Sequence, residues 1–223
     1  MKGVFEKRPA LPRNMVTWDT NIVLNHVKSL SPVKDLSLKN LTFKTVTMAA
    51  LLSAQRSQTI HLFSLDNMSV TPDLYKFRIV QPIKQTRPGR YLAEIELPAY
   101  LEDPDVCIVT TMDEYIKRTE PLRGKETALF ISFSGPHKVV SRSTISRWVK
   151  TTLQHAGVDM NIFPAHSTRA ASTSKANSSV PLETILKTAG WSGDSTFRKF
   201  YNKPIHQPGE FSLSLVDNAV NPH

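Results

Sequence analysis

The sequence predicts a mainly α-helical domain with a small antiparallel β-sheet, an α+β fold. Two observations favour this fold class. Apolar residues recur at helical spacing in most segments between residues 17 and 188, whereas only residues 75–83 and 91–97 combine strand-forming composition with a turn between them. A chain of 223 residues is also long enough to bury a large core without a disulfide or a metal.

The first elements follow from breakers and periodicity. Residues 1–14 contain two prolines and four basic residues, which predicts an extended lead-in. A helix is expected over residues 17–29, ending before a proline that cannot continue it. Residues 36–55 have apolar positions with helical period and predict a core helix, with Arg56 at its C-terminal end. A short helix should follow over residues 57–65.

The middle of the chain predicts a β-hairpin. The strand-like segments 75–83 and 91–97 flank a Pro-Gly pair, which is typical of a turn. This hairpin would present Lys84 and Arg87 near its tip. A helix over residues 141–157 has the clearest signals, because hydroxyl residues begin it and a glycine ends it. The remaining predicted elements are helices over 105–119, 166–176 and 181–188 and strands over 128–132 and 211–216.

The composition favours an anionic macromolecule as partner. The formal net charge is +9, which points to nucleic acid ahead of a membrane surface. No apolar stretch reaches the roughly 18 residues of a membrane span, and the N-terminus lacks the apolar core of a signal peptide. We therefore expect an intracellular protein without a membrane partner, nuclear if the source is a eukaryote.

Neither a metal nor another cofactor is predicted. Cys107 is the only cysteine, which excludes an intrachain disulfide and a multi-cysteine zinc site, and its apolar neighbours predict a buried, inert thiol. The sequence shows no cluster of carboxylates suited to magnesium, and the remaining histidines lack ligand-like spacing.

A cluster near the C-terminus suggests phosphate chemistry. His166 and Arg169 are three residues apart and share one face of a helix, so they can hold one anionic group from two sides. Tyr201 follows, and a phenol can act as a nucleophile when its proton is removed locally. Arginine suits a scissile phosphate because its planar guanidinium group binds two oxygens at once.

Six positions in sequence order resemble the catalytic domain of tyrosine recombinases, the phage-integrase family. They are Arg56, Lys84, His166-x-x-Arg169, Trp191 after Gly190, and Tyr201. The resemblance covers about residues 15–205. It implies that the usual N-terminal DNA-clamping domain is absent, because residues 1–35 cannot supply it. Residues 206–223 form a C-terminal tail that either docks on a neighbouring subunit or is a frayed end.

The resemblance implies a role for each of these residues. Tyr201 would attack DNA and form a 3′-phosphotyrosine, while Arg56 and Arg169 would clamp the scissile phosphate. Lys84 would protonate the leaving 5′-oxygen. His166 would act as base or proton shuttle near the tyrosine.

The remaining family position and one departure concern how the site is assembled. Trp191 would pack against the site while its indole N–H reaches the phosphate. Family members often carry an acidic residue three positions after the first arginine, whereas this chain has Thr59 there. That difference would alter how firmly Arg56 is held.

Further DNA contacts are expected from the helix over residues 141–157. Arg142, Arg147 and Lys150 lie on or beside it, and they form either a solvated charged face or a DNA-binding face. In the second case the N-terminus of the helix enters the major groove, and Arg142 and Ser143 reach the DNA.

The function expected from the resemblance is DNA breaking and rejoining. The enzyme would be a site-specific recombinase or integrase of a mobile element, acting on double-stranded DNA as a self-assembled dimer or tetramer, without metal or ATP. Residues 7–12, 17–19 and 190–201 more specifically resemble the recombinases of DIRS-type retrotransposons. Two alternatives stay open, a type IB topoisomerase-like activity and a catalytically silent, element-derived DNA-binding protein.

Overall fold

The computed structural model describes residues 15–83 and 93–206, and the elements below are those of this part of the chain. Three strands form one antiparallel sheet in the order β1-β2-β3: β1 (Met68–Thr71), β2 (Leu74–Phe77) and β3 (Ile95–Pro98). The helices are α1 (Thr20–Ser29), α2 (Leu38–Ser53), α3 (Ser57–His61), α4 (Ile108–Thr119), α5 (Arg142–His155), α6 (Thr168–Ala176), α7 (Leu182–Ala189) and α8 (Asp194–Phe200). The mainly helical α+β fold is therefore confirmed.

Helix α2 is the centre of the core. Most of its residues are buried, and it packs against α4, α5 and α6. Several of its hydroxyls donate within the helix, as Thr45 does to the carbonyl of Leu41 over 2.7 Å. The helix ends at Ala54, whose φ of 51° places it in the left-handed region. This turn directs the chain out of the core immediately before Arg56.

The sequence signals located most helix ends within a few residues. Helix α1 begins at Thr20 rather than residue 17, because the Asp19 side chain caps it by accepting from the backbone N–H of Asn21. Ser141 caps α5 in the same way. Gly190 ends α7 with a φ of 69°, a conformation that glycine adopts without strain.

Several predicted strand boundaries were wrong. Strand β2 ends at Phe77, well before residue 83, although its pairing with β3 confirms the hairpin. Strand β1 was not predicted, because it is largely exposed and lacks an alternating apolar pattern. Residues 128–132 form only isolated bridges, since no neighbouring strand continues the pairing of this buried apolar run.

Helix α8 was also missed by the sequence reasoning. It is seven residues long, and Phe197 is its one buried residue, so its pattern shows no extended apolar face. The helix nevertheless has a clear consequence, because its C-cap residue is Tyr201.

Several predictions concern residues outside the described part of the chain. These are the lead-in over 1–14, the hairpin tip with Lys84 and Arg87, and the tail beyond residue 206 with its strand over 211–216. In the described residues, Cys107 is buried, as expected. No helix there has the length and apolarity to cross a membrane, and no three metal-ligating side chains cluster there.

The segment after Tyr201 packs against the beginning of the described chain. The backbone N–H of Thr17 donates to the carbonyl of Pro204 over 2.8 Å, and the N–H of His206 donates to the carbonyl of Thr17 over 2.5 Å. The neighbouring indole of Trp18 donates to the Ser167 hydroxyl over 2.7 Å. Residues 17–18 thus join two segments that are distant in sequence.

Candidate active site

An open cleft of about 1030 Å³ lies where α2 ends and where α5 and α6 begin. Four of the six positions that carry the family resemblance line it together, Arg56, His166, Arg169 and Tyr201. Among the described residues, the lining contains no carboxylate. The cleft therefore combines positive charge with a phenol.

Arg56 reaches Tyr201 directly. It follows the left-handed turn at Ala54 and is the N-cap residue of α3, with a half-buried side chain. Its Nη2 donates to the Tyr201 hydroxyl over 3.4 Å, which is long for a hydrogen bond. No ion pair in the described residues involves Arg56, and the buried Thr59 contributes only a backbone N–H to the Arg56 carbonyl.

Arg169 is held far more firmly. Its side chain is only 2% exposed, although it forms part of the cleft wall. Nη1 donates to the carbonyl of Ala54 over 3.1 Å, and Nη2 donates to the carbonyl of Ala189 over 2.5 Å. The guanidinium carbon lies 4.4 Å from the centre of the Trp191 ring and 5.6 Å from that of Tyr201. Arg169 thus fastens the ends of α2 and α7 to one site.

The two arginines repel each other in this arrangement. Burial is the main cause that lowers the pKa of Arg169, to about 9, and the nearby charge of Arg56 lowers it further, while Tyr201 acts in the opposite direction. The guanidinium remains protonated at neutral pH. Its Nε has no hydrogen-bond partner in the described residues. A buried cation beside a second cation is stabilised by an anionic ligand, because the ligand offsets both the desolvation and the repulsion.

Tyr201 is fixed at both its ring and its backbone. The ring packs against Trp191 with centroids 4.6 Å apart. The backbone N–H donates to the carbonyl of Phe197 over 2.8 Å, and the carbonyl accepts from the Ser174 hydroxyl over 2.5 Å. Its hydroxyl lies beside Arg56, and Tyr201 forms part of the cleft lining.

Trp191 packs against two residues of the site, Arg169 and Tyr201. Its ring lies against Arg169, Tyr201 and Phe197 in a small apolar cluster, and it is absent from the cleft lining. The indole Nε1 is buried and has no hydrogen-bond partner in the described residues. The packing part of the expectation for Trp191 fits this position. Contact of its N–H with a phosphate stays a prediction and requires the indole to become accessible.

His166 lies at the border of two cavities. It is exposed in a 3₁₀ turn at the start of α6, and the hydrogen bond between Trp18 and Ser167 anchors this turn. It lines the cleft and also a second cavity of about 640 Å³, and Tyr201 lines both. His166 and Tyr201 are thus brought to one boundary, although they are 35 residues apart in the sequence.

Helix α5 places some of its basic residues nearer the cleft than others. Arg142 and Ser143 line the cleft at the N-terminus of the helix. Arg147 and Lys150 are exposed further along α5 and do not line it. By helical periodicity they continue the same side of the helix as Ser143 and Ser146.

Gln55 is a cleft residue that sequence reasoning missed. It is only 1% exposed, and its Nε2 donates to the carbonyl of Thr188 over 2.7 Å. This bond ties the end of α2 to the end of α7, next to the contacts of Arg169. The available signal was a long polar residue directly before Arg56, but Gln55 was assigned to the predicted helix over residues 36–55 and was given no role in the site.

Comparisons with known proteins identify the fold. Solved recombinases that resemble the chain include a XerH site-specific recombinase bound to palindromic difH substrate, with a TM-score of 0.62, 12% identity, and coverage of 96% of this chain and 54% of that one. The XerA recombinase has the same TM-score and identity, with coverage of 96% and 67%. A lambda integrase (75–356) dimer bound to a COC′ core site has a TM-score of 0.55 and 15% identity, with coverage of 91% and 65%.

The lengths differ between this chain and some of these proteins. The chain spans about half the length of the XerH recombinase structures that it matches. No curated protein matches the sequence. The sequence profile of the Phage integrase family matches residues 95–207, just over half of the chain. With a mainly helical fold shared with recombinase catalytic domains and a cleft that joins two arginines to a tyrosine, the chain belongs to the phage integrase family, the tyrosine recombinases.

Proposed function

We propose that this chain cleaves and rejoins double-stranded DNA through a covalent 3′-phosphotyrosine at Tyr201. The observation that carries the proposal is the convergence of Arg56 and Arg169 on Tyr201, in a cleft whose described lining has no carboxylate. These groups suit a phosphodiester, because two guanidinium groups can bind its non-bridging oxygens while the phenol attacks phosphorus.

The cleavage step exchanges one phosphate ester for another. The Tyr201 oxygen forms a bond to phosphorus, and the bond between phosphorus and the 5′-oxygen of the next nucleotide breaks. The phenolic proton passes to His166, directly or through water, because His166 lies at the same boundary of the cleft as the phenol. Lys84, which lies outside the described residues, is the proposed donor of a proton to the leaving 5′-oxygen.

Rejoining is the same step in reverse. A 5′-hydroxyl from another strand attacks the phosphotyrosine, and the Tyr201 phenol leaves. The number of phosphate esters is unchanged at each step, so no ATP is required. Arg56 and Arg169 stabilise the negative charge on the non-bridging oxygens in both directions, a role that metal ions have in other phosphoryl-transfer enzymes.

The DNA would lie across the cleft and the N-terminus of α5. Arg142 and Ser143 occupy that position and would meet the duplex first, with Arg147 and Lys150 further along the same helix. Arg87 is a further proposed contact from outside the described residues. Lambda integrase has been solved as a dimer on a core site and as a tetramer on a Holliday junction. We propose such assembly here, because strand exchange needs more than one nucleophile.

We further propose a mobile-element recombinase of the DIRS type that acts inside the cell and, in a eukaryote, in the nucleus. The support is the sequence resemblance of residues 7–12, 17–19 and 190–201 together with the basic composition. The substrates for a test are accordingly duplexes that carry the ends of the parent element.

The test uses such duplexes with a nick that traps the cleaved state. Wild-type protein should form a DNA adduct that survives denaturation, and Tyr201→Phe should form none. Tyr100→Phe is the matched control, since Tyr100 is an exposed tyrosine outside the cleft, and its adduct should equal that of wild type.

The other outcomes separate the alternatives. If Tyr201→Phe forms as much adduct as wild type, Tyr201 is not the nucleophile. DNA binding without any adduct from wild type would indicate a catalytically silent DNA-binding protein. Adduct formation with relaxation of a supercoiled plasmid, but without joining of two separate duplexes, would indicate a topoisomerase.

A further inference from the structure

Ser174 connects the helix of Arg169 to the backbone of Tyr201 and of the residues just after it. It lies on α6, five residues after Arg169, and is half-buried. Its hydroxyl donates to the carbonyl of Tyr201 over 2.5 Å and accepts from the backbone N–H of Lys203 over 3.0 Å. One hydroxyl thus bridges the carbonyl and the amide that bracket the segment just after the proposed nucleophile.

The Ser174 hydroxyl does not donate to the partner that is usual for a hydroxyl within a helix. A serine or threonine within a helix commonly donates to the carbonyl four residues earlier. The preceding residue, Thr173, does so, since its hydroxyl donates to the carbonyl of Arg169 over 2.7 Å. Ser174 instead donates across to a segment 27 residues further along the chain. The contact is therefore tertiary and specific to the position of Tyr201.

Ser174 joins α6 to a segment that directly follows the short helix α8. Helix α8 is only seven residues long, and its last turn is closed by the N–H groups of Tyr201 and Asn202, which both donate to the carbonyl of Phe197. A further contact to α6, from the Asn177 amide to Asn202, is exposed and 3.5 Å long. The two Ser174 bonds therefore tie the backbone position of Tyr201 to α6.

We propose that Ser174 is a positioning residue for the nucleophile. It sets the phenol of Tyr201 relative to the phosphate that Arg169 binds, because α6 holds both residues. Productive attack needs the reacting atoms within roughly 3–3.5 Å of each other, and a displacement of about 1 Å can cost about 100-fold in rate. This inference rests on the proposed function, since it assigns Ser174 a part in the same cleavage step.

The test compares Ser174→Ala with two matched variants. Ser174→Ala should lower the single-turnover rate of adduct formation by about 10- to 100-fold. The Kd for DNA should stay unchanged, and the Tm should fall by no more than about 4 °C. Ser172→Ala is the control on the same helix, because the Ser172 hydroxyl has no hydrogen-bond partner in the described residues. It should cleave like wild type, and Ser174→Thr should recover most of the rate.

A second measurement does not depend on cleavage. Hydrogen exchange followed by mass spectrometry should show faster exchange over residues 197–206 in Ser174→Ala than in Ser172→Ala, with α2 unchanged. If exchange there is unaltered, or if Ser174→Ala cleaves as fast as wild type, the inference is wrong. If wild type forms no adduct although Ser174→Ala loosens residues 197–206, the proposed function fails while the positioning contact stands.

Discussion

Arg56 and Arg169 share one proposed role but differ in how the fold uses them, and Arg56→Ala tests this difference. The Arg56 side chain is half-buried, and its one hydrogen bond to a described side chain is the 3.4 Å contact with Tyr201. Such a long bond contributes less than about 1 kcal/mol. The substitution also relieves the repulsion that lowers the pKa of Arg169. The free energy of unfolding should therefore change by less than about 1 kcal/mol.

The effect on cleavage should be much larger. Removing one preorganised donor from a site of developing charge costs about 10²- to 10³-fold in rate, or about 3–4 kcal/mol of transition-state stabilisation. Arg56→Lys retains the charge but loses the planar pair of donors, so its rate should lie between those of alanine and wild type.

The assay pairs single-turnover adduct formation on nicked duplexes with urea unfolding of the same preparations. Arg56→Ala should show a large loss of rate with an unchanged unfolding midpoint. This prediction would be refuted by an Arg56→Ala protein that cleaves at the wild-type rate. A loss of more than about 2 kcal/mol of stability would also refute it, because it would show a structural role like that of Arg169.

Three further predictions concern charge. Burial lowers the pKa of Lys44 from 10.5 to about 8, so between these pH values the unfolded chain binds more protons than the folded chain. In urea unfolding, the stability of wild type should therefore rise with pH over that range, by up to about 3 kcal/mol relative to Lys44→Met. Burial lowers the pKa of His26, and the charge of His155 lowers it further, so the unfolded chain binds more protons below pH 6.5. Thermal unfolding should therefore show that stability falls as the pH drops below 6.5, and that it falls less steeply in His26→Gln. Arg142→Ala should weaken DNA binding and reduce the salt slope by about one in anisotropy titrations, more than Arg147→Ala does, and equal effects would contradict the placement of Arg142 at the cleft.

Local sequence patterns were sufficient to predict much of the fold. Helix α2 was predictable because its apolar positions repeat with helical period, and α5 because Ser141 can cap it and an apolar stripe follows. The hairpin was predictable from its turn, whereas β1 was not, because an exposed edge strand lacks the alternation that identifies strands.

The candidate site was predictable as a set of residues and not as an arrangement. The order of Arg56, His166, Arg169 and Tyr201 pointed to a phosphate site, and the structure brings these four residues to one cleft. Nothing in the sequence indicated that Arg169 would be buried and fastened to two backbone carbonyls. Such contacts depend on segments far apart in the chain, for which local periodicity carries no information.

The contacts that hold the nucleophile were invisible for the same reason. Ser174 reads as one more small polar residue in a helix, and its bond to the carbonyl of Tyr201 exists only after α6 and α8 have packed. The bond from Trp18 to Ser167 spans 149 residues. Both contacts use ordinary residue types, so only the fold reveals their place beside the site.

The most direct measurement of the central claim is to identify the residue that carries the DNA. The adduct would be trimmed with nuclease, digested with protease and sequenced by mass spectrometry. If Tyr201 is the nucleophile, a nucleotide should be attached through its 3′-phosphate to Tyr201 and to no other residue. A nucleotide on a different side chain, or one attached through a 5′-phosphate, would contradict it.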